Sequence, residues 1–451
     1  MNKFYFAAIH QFVGYLLITA WLLPVDFKGY LAFSGVMGLQ GVVFIVLLKW
    51  ERIQNIWLKM VFASSLWALT EWLRMNMLGG FGWTVSQALA FHPRMIQIID
   101  VCGAQGLSFI IVFVNCLIYF GYKQKSFRSQ SIGSLVCVFV VLFGYGFWKQ
   151  YQSQSKDNGV IHVCTVQPNI PPRRKLDPRF LDRNFDAHME LSRECFDKSE
   201  PEMIVWPEIA VTDDVLSDPR FFHELTAFAQ SFHVHLLVGS ALRVEGKDYN
   251  SAVFFSNEGL AHAVYHKVKL IPFSEYFPLQ KNFGWLRPWM YHDRYAFSPG
   301  KEPGLLHLVT ARGEKTLGVL ICSEDGYPGL MRPLVEGGAG AVIVLLNDGW
   351  FQDQAGQWMH LQNSILRSIE FGRPILRSAN TGISINLDSR GYWRHFETNE
   401  TVGRKRVFNY ALKTVQGRTF FNEFGDFFVL FYFVFVIMTV FRMKLKIPIP
   451  V

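Results

Sequence analysis

Long runs of residues without charge dominate both ends of this chain and limit what it can fold into. A helix needs about 20 apolar residues to cross a bilayer, and several runs near the N-terminus reach that length one after another. Core helices of a soluble protein rarely follow each other in this way. The runs predict six membrane spans, the third of which contains Glu71 and Arg74: Phe4–Val25, Gly29–Leu48, Met60–Leu78, Val101–Tyr122, Ser129–Trp148 and Phe427–Phe441.

The composition agrees with a membrane protein. Only 18% of the 451 residues are charged and 16% are aromatic, which is too apolar for an ordinary soluble chain. The first run follows Lys3, as in a secretory signal peptide, but no small-residue cleavage site follows it at the right spacing. We therefore expect the first span to be retained.

A polar stretch, residues 150–159, separates the first five spans from a long polar middle region. The predicted domains are an N-terminal membrane domain over 1–149, a middle domain over 150–410, and a C-terminal part over 411–451. That last part holds a linker, one span and a short tail.

Lysine and arginine placement predicts the orientation of the spans, because such residues favour the cytoplasmic side. They are concentrated in alternate loops and in the C-terminal tail, so both termini should be cytoplasmic and the middle domain should lie outside. The net charge of +8 then reflects topology and contact with lipid headgroups, and no nucleic-acid partner is expected. The basic positions are Lys49, Arg52, Lys59, Lys123, Lys125, Arg128, Arg442, Lys444 and Lys446.

Short β-rich runs alternate with helical patterns in the middle domain, which predicts an α/β layered fold. The strand candidates are Ile161–Val166, Met203–Trp206, His235–Val238, Ala252–Phe255, Leu317–Ile321, Ala341–Leu346 and Ile375–Arg377. The helix candidates are Pro178–Lys198, Pro219–Phe232 and Gln357–Phe371.

Three segments of this domain end an apolar run on a polar side chain. They place Glu208 after "MIVWP", Lys267 and Glu275 in "VYHKVKLIPFSEYFP", and Cys322 in "GVLICSEDGYP". Side chains at strand ends gather at one edge of an α/β fold, where active sites form. We expect these residues to lie together.

A carboxylate, an ammonium and a thiol can together catalyse attack on a carbonyl carbon. The thiol must lose its proton to a base, and the tetrahedral oxyanion needs a cationic or N–H donor. Taken singly, Cys322 fits a core residue, Glu208 a helix cap and Lys267 a solvated edge charge. Their combination in one domain favours catalysis.

Cysteine number and spacing limit the other roles of Cys322. The middle domain contains Cys164, Cys195 and Cys322, an odd number, so at least one thiol stays unpaired. No C-x-x-C or histidine-rich spacing suggests a metal site, and no cofactor is expected.

The three residues in these contexts resemble the Glu–Lys–Cys triad of the nitrilase superfamily. Over nearly the whole chain the order of motifs resembles that of the apolipoprotein N-acyltransferase family, the membrane-bound branch of this superfamily. Members of that family add the third acyl chain to bacterial lipoproteins. The motifs are "TEWLR", "GLSFIIVFVN", "QPNI", "VWPE", "YHKVKLIPFSEYFPL", "NDGWF" and "HLQNSILRSIEFGRPILRSANTG". The resemblance implies an extracytoplasmic αββα nitrilase-like domain on a helical membrane bundle.

The resemblance also implies roles for individual residues. Cys322 would be the nucleophile that carries the acyl group as a thioester, Glu208 the general base and Lys267 the oxyanion-stabilising cation. Glu275 and Glu324 would support them. Two aromatic residues, Tyr276 and Trp350, would line the passage for acyl chain and headgroup.

The implied reaction is a ping-pong acyl transfer in the bacterial inner membrane. A membrane phospholipid would donate the acyl chain, and the amine of a diacylglyceryl apolipoprotein would accept it. The aromatic segment between Glu275 and Pro299, with Trp285 and Trp289, is expected to dip into the outer leaflet beside the site, because Trp and Tyr favour the headgroup zone. An ordinary aromatic core is the alternative.

The sequence departs from the family in three respects. It has six predicted spans where the family usually has eight. Ser323 stands where an aromatic residue usually follows the nucleophile, and Leu176 stands where Trp is typical. These departures leave the triad intact and concern the fit of the acyl chain and headgroup.

Three arginines of the middle domain have two possible partners. Arg367, Arg373 and Arg377 are expected to pair with acids such as Glu370 rather than with lipid phosphate.

Two other functions are compatible with parts of the sequence. A membrane-anchored amidase that hydrolyses small amides would use the same triad. A non-catalytic membrane scaffold would be expected to lack one of its members.

Overall fold

A computed structural model describes residues 3–77, 83–152, 157–197, 199–272, 274–277, 285, 296–310, 312–351, 354–393 and 402–444. The chain divides into two compact units. One, called the helical unit below, comprises Met1–Ser153 and Arg418–Val451; the other, the sandwich unit, is Gln154–Gly417.

The helical unit is built from apolar helices. Its N-terminal part contains α1 Lys3–Ile18, α2 Phe27–Leu47, α3 Ile56–Met77, α4 Pro93–Ile96, α5 Ile99–Lys123 and α6 Arg128–Tyr151. Two further helices follow the sandwich unit; they are numbered after its described helices as α12 Phe420–Phe424 and α13 Phe427–Lys444.

The predicted spans fall on these helices, but the helices differ from one another in length and in apolar character. Among the described residues, three stretches are long and apolar enough to cross a membrane: Phe27–Arg52, Ile99–Lys123 and Lys125–Tyr151. Two shorter apolar helices are Ala8–Ile18 and Phe427–Met443. The total of six spans stays a prediction.

The charged residues of α3 are buried inside the helical unit. Glu71 accepts hydrogen bonds from the indole of Trp67 at 2.9 Å and from the backbone of Val85 at 2.8 Å. Arg74 donates to the side-chain oxygen of Gln40 at 2.6 Å. Buried charges are costly unless they are partnered, which explains these contacts.

The sandwich unit contains two β-sheets. The first has strand order β11-β1-β2-β3-β4-β5 and the second β10-β9-β8-β7-β6. The strands are β1 Asp157–Gln167, β2 Met203–Val205, β3 His235–Val244, β4 Lys247–Phe255, β5 Ala261–His266, β6 Gly304–Thr310, β7 Gly313–Ile321, β8 Ala341–Leu346, β9 Ile375–Ala379, β10 Ile385–Leu387 and β11 Arg406–Val415. The described helices are α7 Pro172–Lys175, α8 Leu181–Glu194, α9 Pro219–Ser231, α10 Pro328–Glu336 and α11 Gln354–Phe371.

Side-chain alternation along the strands explains the layers. On β7, Val319 and Ile321 point into the core between the two sheets. A side chain at Gly318, on the other face, would meet Leu334 of α10. Strands buried on both faces read as continuous apolar runs, which the sequence shows here. The layers run helix, sheet, sheet, helix, and the predicted α/β fold class is confirmed.

Several elements escaped the sequence prediction. The strands β5, β6, β10 and β11 were not among the candidates, and β11 pairs antiparallel with β1. It continues past residue 410, where the sequence placed the end of the middle domain. A disulfide, also not predicted, joins Cys164 on β1 to Cys195 at the end of α8, whereas Cys322 is a free thiol.

Candidate active site

The polar residues singled out in the sequence all follow strands of the sandwich unit. Glu208 comes shortly after β2, Lys267 directly after β5, and Cys322 directly after β7. The two sheets face each other, so segments leaving both sheets meet at this edge. Glu208 and Lys267 are 7% and 1% exposed, respectively, and Cys322 is partly exposed.

Glu208 lies in a turn that packs tightly on β3. The following residue, Ile209, has φ of 42°, a left-handed conformation that is unfavourable for a β-branched side chain. A side chain on Gly239 of β3 would clash with the carbonyl oxygen of Pro207 and would approach the Cα of Glu208 to 2.9 Å. Only glycine at 239 leaves room for this turn.

Lys267 is a buried ammonium held between two carboxylates. Its Nζ lies 2.9 Å from Oε1 of Glu275 and 3.3 Å from Oε1 of Glu208. Burial alone would lower the pKa of Lys267, but Glu275 and Glu208 raise it well above its ordinary value. The lysine is therefore charged at neutral pH and can stabilise an oxyanion.

Asn250 on β4 connects the two carboxylates. Its Nδ2 donates to Oε1 of Glu208 at 2.8 Å and to Oε1 of Glu275 at 3.2 Å. The other oxygen of Glu275 accepts from the backbone of Ile271 at 2.8 Å. Nothing in the local sequence marks Asn250, because only the pairing of β4 with β5 brings it beside Lys267.

Cys322 occupies a sharp turn at the end of β7. Its φ is 56°, a left-handed conformation that costs about 1 kcal/mol or more in a residue other than glycine. Burial raises the pKa of the Cys322 thiol, Glu208 and Asp348 add to the rise, and Lys267 opposes it. The net pKa lies well above the ordinary value, so the thiol needs a base to form the thiolate.

Glu324 joins the Lys267 segment to the Cys322 turn. Its Oε1 accepts from the backbone of Val268 at 2.7 Å and of Lys269 at 2.9 Å, and its Oε2 accepts from Ile321 at 2.9 Å. Burial raises the pKa of Glu324, and the charge of Lys267 and hydrogen bonds to the carboxylate oppose the rise. The resulting pKa is about 7. The carboxylate thus fixes two active-site segments at once.

A second buried cluster supports the Cys322 turn, and of its members only Arg377 was singled out from sequence. Asp325 binds Nη1 of Arg377 at 2.7 Å and also accepts from the hydroxyl of Ser364. The ring of His360 lies between Asp325, at 3.3 Å, and Asp348, at 2.6 Å. All five side chains are buried, and they connect the turn to α11 and β9.

The charge of His360 follows from its two acidic neighbours. Burial by itself would lower the pKa of His360, but Asp348 and Asp325 raise it to about 10. Burial would likewise raise the pKa of Asp325, yet His360 and Arg377 lower it below its usual range. His360 is therefore a cation at neutral pH, held between Asp348 and Asp325.

The arginines named from sequence are all engaged within the protein. Arg367 pairs with Glu370 at 2.8 Å, as expected, and Arg377 pairs with Asp325. Arg373 donates to the backbone carbonyls of Ala339 and Gly417.

The predicted substrate-contact residues are spread along the chain. Trp285 is 70% exposed and Trp350 is 44% exposed, while Tyr276 is partly buried. Burial raises the pKa of Tyr276. Trp289 lies outside the described residues. Among the His, Cys, Asp and Glu residues that are described, no group of three is arranged to hold a metal ion.

Comparison with known families identifies the sandwich unit. The family model for carbon-nitrogen hydrolases matches residues 163–420, more than half of the chain. This chain belongs to the carbon-nitrogen hydrolase family. A second model, for the N-terminal domain of apolipoprotein N-acyltransferase, matches residues 2–117.

Two curated relatives illustrate the similarity over the rest of the chain. An apolipoprotein N-acyltransferase of Geobacter metallireducens is 28% identical over 80% of this chain and 70% of its own length. That of Haemophilus influenzae is 27% identical over 85% of this chain and 73% of its own length. A solved amidase from Nesterenkonia sp. aligns with 60% of this chain and 95% of its own, with 15% identity and a TM-score of 0.38.

Proposed function

We propose that this protein is an apolipoprotein N-acyltransferase with a Glu208–Lys267–Cys322 triad. It transfers an acyl chain from a glycerophospholipid, through a thioester on Cys322, to the N-terminal amine of a diacylglyceryl-cysteine lipoprotein. The relatives carry this name, and their similarity extends over both the helical and the sandwich units. The observation that carries the proposal is the buried ion pair between the ammonium of Lys267 and the carboxylate of Glu208. Both charges influence the pKa of the Cys322 thiol.

The first half of the reaction loads the enzyme. Glu208 takes the thiol proton while the sulfur of Cys322 attacks the ester carbonyl of the phospholipid. Negative charge develops on the carbonyl oxygen, and the ammonium of Lys267 stabilises it. The carbon–oxygen bond then breaks, Glu208 returns the proton to the leaving oxygen, and a lysophospholipid departs.

The second half transfers the acyl group to the lipoprotein. The free amine attacks the thioester carbonyl, and Glu208 accepts a proton from the attacking nitrogen. The same cation stabilises the second oxyanion. When the carbon–sulfur bond breaks, the proton returns to Cys322, which leaves an amide and a free thiol. Both halves therefore use one base, one cation and one nucleophile.

The protonation states of the site suit this sequence of steps. A thiol with a raised pKa needs a base to become nucleophilic, and Glu208 has that role in this proposal. A lysine held charged by Glu208 and Glu275 is ready to meet an oxyanion. Asn250 keeps the carboxylate of Glu208 in place by its hydrogen bond.

We also propose that the sandwich unit lies on the outer face of a bacterial inner membrane, with both termini cytoplasmic. The proposal rests on the distribution of lysine and arginine among the loops. The disulfide between Cys164 and Cys195 supports it, because disulfides persist in oxidising compartments such as the periplasm.

The test follows the acyl group. The full-length protein in detergent micelles receives a phospholipid with a labelled acyl chain, followed by a diacylglyceryl-cysteine peptide. We expect label on Cys322 in the first step and on the peptide amine in the second, with neither in Cys322→Ala. Cys137→Ser, which removes an exposed free thiol of α6, should behave like the unaltered protein.

Two outcomes would contradict the proposal. Release of free fatty acid without transfer to the peptide would indicate a hydrolase. Turnover of small amides by a protein that never acquires label from phospholipid would indicate an amidase of the nitrilase type.

A further inference from the structure

A buried lysine beside Glu208 has no part in the mechanism above. Lys175 ends the short helix α7 and is 2% exposed. Its Nζ donates to the backbone carbonyl oxygen of Glu208 at 2.5 Å. In the part of the chain that the structure describes, this is the one hydrogen bond of the ammonium, and no carboxylate oxygen forms an ion pair with it.

The positive charge of Lys175 is not neutralised by an ion pair, so its other charged neighbours matter. The titratable groups that act on it are Glu208, Cys322 and His188. Burial lowers the pKa of His188 to about 3, and Lys175 contributes to the lowering, so this imidazole is neutral. The anionic forms of Glu208 and Cys322 are therefore the charges that can balance the ammonium.

We propose that Lys175 is a positioning residue and second cation of the active site: its ammonium fixes the backbone of Glu208 and favours the thiolate of Cys322. This inference rests on the proposed function, since it assigns Glu208 and Cys322 to the same reaction. A buried charge is costly unless it is paired, and formation of an anion nearby recovers part of that cost. Lys175 would thus act through Glu208 and Cys322 without touching the substrate.

The backbone geometry explains why such a device is useful. The turn at Glu208 contains the left-handed Ile209 and presses against Gly239, so it needs an anchor. The hydrogen bond from Lys175 supplies one on the backbone, while Asn250 and Lys267 hold the carboxylate.

The charge count supports a second cation. The acids Glu208, Glu275 and Asp348 all disfavour the thiolate, and Lys267 is the main opposing charge. Burial lowers the pKa of Lys175 to about 8, although Glu208 and Cys322 hold it up. The ammonium is consequently present at neutral pH and is lost in mildly alkaline solution.

The test measures the reactivity of Cys322 without any lipid. Full-length protein is treated with iodoacetamide between pH 6 and pH 10, and the modified Cys322 peptide is quantified by mass spectrometry. Lys175→Met removes both bond and charge, Lys175→Gln keeps a donor without charge, and Lys175→Arg keeps the charge. Lys315→Met is the matched control.

Lys315 is a suitable control because it makes the same kind of contact elsewhere. It is 7% exposed, and its Nζ donates to the carbonyl oxygen of Asn158 at 2.6 Å. It lies on β7 at the opposite end from Cys322, about 20 Å away along the strand.

At pH 7.5 we expect Lys175→Met and Lys175→Gln to alkylate about tenfold more slowly, because a neighbouring cation typically lowers a pKa by about one unit or more. The difference should narrow as the pH rises past about 8, where the unaltered lysine loses its charge. Lys175→Arg should retain most of the reactivity, and Lys315→Met should match the unaltered protein. In acyl transfer, kcat should fall with little change in KM for phospholipid.

Several results would overturn the inference. An unchanged alkylation profile in Lys175→Gln would refute the charge role even if Lys175→Met fails to fold. Equal loss of melting temperature in Lys175→Met and Lys315→Met, with normal reactivity of Cys322, would make Lys175 a structural lysine. Failure of lipid transfer in the unaltered protein would instead count against the proposed function, because the alkylation assay does not depend on it.

Discussion

Buried ionised side chains are the distinguishing residues of this site. Two sets surround the Cys322 turn: Lys267 with Glu208 and Glu275 on one side, and His360 with its acids on the other. Taking charges out of water costs several kcal/mol each, and the cost is recovered only where partners and hydrogen bonds are complete. Such sets fix positions of side chains more than they add stability.

The pH dependence of stability should report on His360, which contacts Asp348 and Asp325 and shares them with Arg377. Its pKa is about 10 in the folded protein and about 6.5 when unfolded. Between these values the folded state binds more protons, so the free energy of unfolding contributed by His360 is full below pH 6.5 and falls as the pH rises towards 10. Thermal unfolding of the sandwich unit, followed between pH 6 and pH 10, should show this decline.

A variant isolates the contribution of His360. His360→Gln should lower the free energy of unfolding at pH 6 by about 3–5 kcal/mol, the usual effect of breaking a buried charge pair. It should also flatten the decline between pH 7 and pH 10. A variant that keeps the slope of the unaltered protein would show that another group is responsible.

At the level of elements, close packing of strand and turn determines where the base lies. Gly239 of β3 touches the backbone of the Glu208 turn, and the neighbouring strands β2 and β3 are parallel. The carboxylate of Glu208, the proposed base, is therefore positioned by backbone contact between its turn and the middle of β3. Its position should respond to a change as small as one methyl group.

Gly239→Ala is the corresponding prediction. The added methyl would force the Glu208 turn away from β3, because backbone atoms cannot yield as flexible side chains do. We expect a loss of about 1–3 kcal/mol in stability and a larger relative loss of activity, since a displacement of about 1 Å at a catalytic group can cost about a hundredfold in rate. Acyl-transfer rate and melting temperature check the two effects separately.

Gly329→Ala provides the control, because a side chain there would meet nothing within 4 Å. It should leave the transfer rate unchanged. If Gly239→Ala retains normal activity, the tight contact does not determine the position of Glu208.

On the scale of the whole molecule, the chain combines an apolar helical unit with a sandwich unit that carries the candidate site. A helical unit has an evident use if both substrates are anchored in a membrane, as the proposed function requires. The loop charges and the disulfide each support an outer location for the sandwich unit.

Reporter fusions test the orientation. Alkaline phosphatase, which is active only outside the cytoplasm, should be active when fused after Gly417 and inactive when fused after Lys444. A fluorescent protein that folds only in the cytoplasm should show the opposite pattern. The same reporter result at both positions would mean that the last apolar helix does not cross the membrane.

The sequence by itself determined the apolar helices, the layered fold and the three residues proposed as the triad. These follow from local properties: span length, apolar runs on buried strands, and polar residues at strand ends. Glu208, Lys267 and Cys322 could be named because each follows a recognisable run and because the motif order resembles a known family.

Only the tertiary structure decided the rest, because it depends on contacts between distant segments. Asn250 reaches Glu208 through the pairing of β3 and β4, and the disulfide depends on how α8 packs on β1. Asp325, which had no role in the sequence, became the partner of Arg377 and His360. The local sequence does not specify the distances between such residues, because the burial and the pKa of a side chain depend on how the whole chain packs.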